Sequence, residues 1–108
     1  MTHLCRMIYH VTTRAEWERA QQQGFYEAAS LPIEGFIHAS ADDRQVQGVL
    51  QRYFSGQSNL VKLTIDPSRL SAELKWELAP SVGEEFPHIY GPLNVDAVVA
   101  AEDVRREA

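Results

Sequence analysis

Three histidines stand in short apolar runs, each beside a hydroxyl or an aromatic: Ile8-Tyr9-His10-Val11-Thr12, Gly35-Phe36-Ile37-His38-Ala39-Ser40 and Phe86-Pro87-His88-Ile89-Tyr90-Gly91. Imidazole is the side chain most easily tuned to bind, polarise or exchange protons near neutral pH. Strand-like flanks would hold each ring on a rigid element, as a preformed site requires. A lone histidine on an apolar strand is commonly a hydrogen-bonded core residue, and each of these has such a role open to it. His10 could bond a backbone carbonyl, His38 could cap the helix that follows, and His88 could satisfy buried backbone after a proline. Three such contexts in 108 residues argue instead for one concavity lined by His10, His38 and His88 and joined by Ser40 or Tyr90.

Other chemistries find less support. Zinc sites are anchored by ligand pairs two to four residues apart, and no His-x-His, His-x-x-x-His or second cysteine accompanies these histidines. The expectation is no metal, and a metal-dependent enzyme is a distant alternative. Ser40 lies near His38 without a Gly-x-Ser-x-Gly elbow, and Cys5 has no marked activator. No Gly-x-Gly-x-x-Gly or Walker pattern is present, and Asp42 and Asp43 oppose an anion at the helix start after Ser40. Glu77 offers a carboxylate next to Trp76, either as a solvated strand residue or as a charge turned toward the histidines. Trp17 and Tyr90 could stack on a planar ring or serve as core.

The elements that must position these groups follow from periodicity. Leu4–Val11 reads as a strand with Ile8 and His10 on one face and Tyr9 on the other. Thr13, with Glu16 three residues on, predicts a capped helix closed by Gly24. Phe25–Ile33 reads as loop with one short extended piece, and Gly35–Ser40 as a strand placing Phe36, His38 and Ser40 on one side. Ser40 and Asp43 predict the start of a second helix, with Val46, Val49, Leu50, Tyr53 and Phe54 at helical spacing and Gly56 at its end. Asn59–Ile65, Glu73–Leu78, Phe86–Tyr90 and Val95–Ala101 read as further strands, with a turn at Asp66-Pro67-Ser68. Few helices and no strand-helix repetition indicate α+β architecture: one compact domain over residues 1–108, with a curved, mostly antiparallel sheet and two main helices.

Composition agrees with a soluble globule, at 44% hydrophobic and 23% charged residues. The formal charge of −5 argues against general nucleic-acid or anionic-membrane binding, which needs basic surface. No apolar stretch approaches a membrane span, the start lacks a signal-peptide pattern, and the one cysteine suits a reducing compartment. A cytoplasmic protein is expected.

The motifs at 8–12, 35–40 and 86–91, with Trp17, Ser30-Leu31, Gln45, Leu60-Val61 and Trp76-Glu77 between them, resemble a small bacterial family, domain of unknown function 952. The resemblance runs from about Met7 to about Ala100. That family is distantly similar to the ADP-ribosyltransferase fold, which implies a nucleotide ligand, NAD, entering as substrate or ligand with no required cofactor. His10-Val11-Thr12 then looks like the His-Gly-Thr element that holds the ribose and nicotinamide. Gly35–Ser40 looks like the Gly-x-Tyr-Phe-Ala-Ser element, with His38 in place of its tyrosine. The resemblance implies that His10 and Thr12 orient the ribose, Ser40 bonds the amide, His38 or Tyr90 stacks, His88 adds to the pocket, and Glu77 stabilises an oxocarbenium-like transition state. Three departures stand against it: Val11 replaces the glycine, His88-Ile89-Tyr90 occupies the late strand that carries the family's glutamate, and Pro80–Glu85 has no arginine. These departures favour the alternative, a catalytically silent ligand-binding or regulatory module on the same fold.

Overall fold

A computed structural model describes residues 6–104; Leu4 and Cys5, placed above in and beside the first strand, lie outside them. Strand β1 (Ile8–Thr13) leads directly into helix α1 (Arg14–Gln23). The junction is capped as the sequence predicts, since Thr13 Oγ1 accepts the Glu16 N–H at 3.1 Å and Gly24 closes the helix in the left-handed region at φ 93°. Trp17 and Ala20, one turn apart on α1, are buried, so Trp17 is core and offers no stacking surface to a ligand.

The segment expected to be mostly loop contains strand β2 (Phe25–Tyr26) and a short helix, α2 (Ser30–Glu34). Its five residues are too few for a hydrophobic period to show, and no side chain caps it. Strand β3 (Ile37–His38) is shorter than expected, but Ser40 still pairs with β1: Tyr9 and Ser40 exchange backbone bonds of 2.8 and 2.7 Å. Helix α3 (Asp43–Tyr53) begins after Asp42, not Ser40. Asp42 carries the carboxylate that accepts the Gln45 N–H at 2.9 Å, whereas Ser40 is committed to the sheet. The helix ends at Phe54, two residues before Gly56.

Strands β4 (Leu60–Ile65), β5 (Glu73–Ala79), β6 (Glu84–Tyr90), β7 (Leu93–Asn94) and β8 (Val98–Asp103) complete the chain. Residues 95–97, expected to be extended, form a single 3-10 turn. All pairings are antiparallel. One sheet runs β1-β4-β8, a second β3-β6-β5, and β2 pairs with β7 in a two-stranded ribbon. The expected curved sheet is thus two sheets meeting at the Tyr9–Ser40 pair. No helix among the described residues is long and apolar enough to cross a membrane.

Alternation along β1 feeds two cores. Ile8 joins Trp17, Tyr26, Ile37, Leu63, Ile65, Ile89 and Leu93, while Val11 joins Val46, Leu50 and Leu60 beneath α3. Polar stapling fixes α3 against β6. Buried Gln45 accepts the Ala41 N–H at 2.8 Å and donates to Glu84 at 3.0 Å and to the Glu85 carbonyl at 3.1 Å. Arg44 grips the same Glu84 in a bidentate pair at 2.8 and 2.9 Å, and that pair, with Gln45, holds the Glu84 carboxyl down to about 2. Gln45→Ala should cost about 1 kcal/mol in urea unfolding, because it removes the side chain that bonds the Ala41 N–H, Glu84 and the Glu85 carbonyl together. A loss under a few tenths would show that the staple is dispensable.

Candidate functional site

His10 sits on the face of β1 that looks toward β2. Its Nδ1 lies 2.6 Å from the backbone oxygen of His38, and its Nε2 lies 3.0 Å from the Tyr26 hydroxyl. A carbonyl can only accept, so Nδ1 carries the hydrogen. Burial pulls the His10 pKa down to about 4, against the modest opposing effect of the His38 carbonyl. The ring is therefore neutral near pH 7, and Nε2 must accept from Tyr26. The Tyr26 hydroxyl is also 3.0 Å from Thr12 Oγ1. With the tyrosine proton given to His10, that contact is satisfied when Thr12 donates to Tyr26. Burial raises Tyr26 to about 12 and keeps the phenol intact. The result is an ordered, uncharged chain: Thr12 to Tyr26 to His10 to the His38 carbonyl.

This chain forms one wall of a cavity of about 390 Å³, lined also by Tyr9, Ser30, Glu34, His38, Ser40 and Tyr53. His10, Thr12, His38 and Ser40, four of the residues singled out from the sequence, meet there. No lysine or arginine among the described residues lines it. Val11, whose branched side chain stood against the resemblance, packs into the apolar cluster beneath α3.

Glu77, His88 and Tyr90, the other three, do not line the cavity. They form a second cluster on the β5-β6 pair. Tyr90 donates to Glu77 Oε1 at 2.5 Å, and His88 Nδ1 lies 2.7 Å from the same oxygen. These two bonds, Tyr90's first, lower the Glu77 pKa, and the same carboxylate raises that of Tyr90. The expected single concavity is thus corrected. His88 faces His38 across the β3-β6 pairing at 5.4 Å between ring centroids, but does not itself line the cavity. Glu77 is likewise corrected: its engaged oxygen serves His88 and Tyr90, not the cavity.

His38 joins the two groups. Its ring lines the cavity, tilts against Phe86 at 4.9 Å and meets His88. Burial and then the nearby His88, His10 and Arg52 depress its pKa to about 4. Its Nε2 is buried without a hydrogen-bond partner among the described residues. On the other side of His88, Phe36 stacks on the ring at 3.9 Å and 14° between planes. His88 Nε2 takes no bond from any described residue, so a carboxylate-held, aromatic-backed imidazole is left with one nitrogen unengaged.

Tyr26 is not singled out by the sequence motifs, and Phe36 enters them only beside His38 and Ser40. Tyr26 follows the helix-closing Gly24 by two residues, and in an extended pair one of Phe25 and Tyr26 must turn inward; that signal was present. Phe36 was placed on the His38 side, yet nothing local marks it as the partner of a histidine 52 positions on. Among the described residues, no group of three histidine, cysteine or carboxylate side chains is placed to hold a metal ion.

Comparison with known proteins supports a family assignment without a reaction. The crystal structure of protein CC0527 from Caulobacter crescentus is similar with a TM-score of 0.83 at 41% identity, covering 94% of this chain and 89% of that one. The solution NMR structure of CC0527 gives 0.78 at 39% identity, covering 95% and 88%. No curated protein matches the sequence. Residues 11–101 match the family described as protein of unknown function, DUF952, and the chain belongs to that family.

Proposed function

We propose that the cavity and the neighbouring Glu77–His88–Tyr90 cluster form one site for a nucleotide, with NAD as the first candidate and ADP-ribosyl transfer as the reaction. The observation that carries this reading is His38 Nε2, a buried nitrogen without a partner at the junction of the two halves. An unpaired buried polar atom costs about 1–3 kcal/mol, and a ligand lying across the junction would satisfy it. The cavity volume falls within the range of small-molecule sites. With two carboxylates and no cation among the described residues of its lining, it suits an uncharged nucleoside portion and leaves phosphates outside, on the Arg52 side of His38.

In this reading the Thr12–Tyr26–His10 chain holds fixed donors and acceptors toward ribose, and Ser40 bonds the amide. Glu77 orients His88 through its Nδ1, as a carboxylate does for a general base. His88 Nε2 takes the proton of an acceptor hydroxyl as that oxygen attacks the anomeric carbon. The carbon–nitrogen bond breaks toward the base, which leaves as neutral nicotinamide, and the proton resides on His88 until solvent removes it.

Titration calorimetry with NAD and with ADP-ribose tests the binding half. His10→Ala should weaken binding about tenfold or more, because it releases the Tyr26 and Thr12 hydroxyls that His10 holds in place, with the fold retained by circular dichroism. Glu77→Gln should leave binding near wild type and suppress nicotinamide release, because it removes a charge needed mainly in the transition state. Heat of binding without release in the wild type would favour the silent regulatory module. Neither, in a folded sample at millimolar ligand, overturns the NAD reading.

A further inference from the structure

Among the described residues, strand β5 is the outer strand of its sheet, with β6 on one side only. Which of its backbone groups are free follows from Pro87. The Ala39 N–H donates to the Pro87 carbonyl at 2.9 Å, so residue 87 turns its backbone polar groups toward β3, and as a proline it has no N–H to give. Trp76 lies directly opposite Pro87 and is therefore in a non-hydrogen-bonded pair. Its N–H and C=O point away from β6, to the open edge. By alternation, those of Leu74 and Leu78 do the same.

The side chains along this edge are self-complementary. Glu73, Lys75 and Glu77 share one face, and Leu74, Trp76 and Leu78 the other, where Trp76 is 46% and Leu78 60% exposed. Laid antiparallel against a copy of itself about a two-fold at Trp76, the seven-residue strand overlaps along its full length. Trp76 then meets Trp76, Leu74 meets Leu78, and Lys75 meets Glu77. The outward groups of residues 74, 76 and 78 supply about six inter-strand bonds, while Lys75 and Glu77 fall at the close non-hydrogen-bonded positions where side chains approach best.

We propose that two copies of this chain pair antiparallel through β5, centred on Trp76, with Lys75 of each copy on Glu77 of the other. The occupant is a second copy because Lys75-Trp76-Glu77 complements itself in charge in this register. Lys75, which lies 4.8 Å over its own Tyr90 ring, swings to the partner's carboxylate. The consequence reaches the site, since Glu77 already holds His88 and Tyr90 through Oε1 and a second copy brings a cation to it. The pairing does not depend on what the cavity binds.

The register is tested by cross-linking. In a Cys5→Ser background, Trp76→Cys places two thiols across the two-fold at a Cα separation of about 5.5 Å, inside the range a disulfide spans. It should form a covalent dimer under mild oxidation. Leu78→Cys should not, because residue 78 faces residue 74 of the other copy. Light scattering on otherwise unaltered protein provides the second measurement: a dimer at tens of micromolar, with Lys75→Glu raising the dissociation constant at least tenfold while circular dichroism stays unchanged. A wild-type monomer at several hundred micromolar overturns the proposal. So does cross-linking of Leu78→Cys as fast as Trp76→Cys.

Discussion

Lowering the pH from about 8 to about 5 should cost the folded protein several kcal/mol, well before its carboxylates titrate. His10 and His38 both have folded-state pKa values near 4, below the unfolded value of about 6.5. As pH falls through 6.5 the unfolded chain takes up protons at these rings, and the folded one does not until about 4. Stability is therefore complete above about 6.5 and is lost progressively down to about 4. At pH 5 a ring shifted this far accounts for about 2 kcal/mol. His38, less enclosed than His10, contributes less. The depressed carboxylates Glu77, Glu84 and Asp66 act with the same sign but lower on the pH scale. Urea unfolding at the two pH values checks this, with His10→Asn expected to remove the larger part of the difference. Equal stability at both would show that the two rings titrate normally.

Leu63→Ala should produce the other large loss, about 3 kcal/mol, with a fall in Tm of about 15 °C. Leu63 is fully buried on the central strand β4, directly opposite His10 on β1. Removing its side chain opens a hole beside the imidazole in a core with little freedom to collapse, since the neighbouring same-face pair Ile8–Ile65 is held in register. Thermal unfolding measures it. A loss below about 1 kcal/mol would mean that the neighbours repack.

The sequence was most legible where one local rule decided the outcome. Thr13 and Gly24 bracket α1 because capping is a matter of a few adjacent residues, and the alternation in 61–65 separates buried from partly buried positions. The start of α3 was misplaced because Ser40 and Asp42 are both good caps, and only the long-range pairing of Ser40 with Tyr9 removes the first. Helix α2 is five residues long, too short to carry a period. The gathering of His10, Thr12, His38 and Ser40 around one cavity could be anticipated from similar strand contexts. The separation of Glu77, His88 and Tyr90 could not, since it depends on which face of β6 turns toward β5 and on the seam between the two sheets.

Strand β1 also sets the order in which the chain can assemble. It carries the site's first histidine, yet its hydrogen-bonding partners are Leu60–Ile65 on one side and Ser40 on the other. A ribosome adding about 5–20 residues per second leaves β1 without its main partner for several seconds, its Ile8 and Val11 faces exposed to other chains. Helix α1, which packs on the same core through Trp17, is only ten residues long and is marginal without that sheet. The neutral His10 array is then a late product of folding, completed only when β4 arrives, and the interval before it is the one in which a nascent chain most needs protection from aggregation.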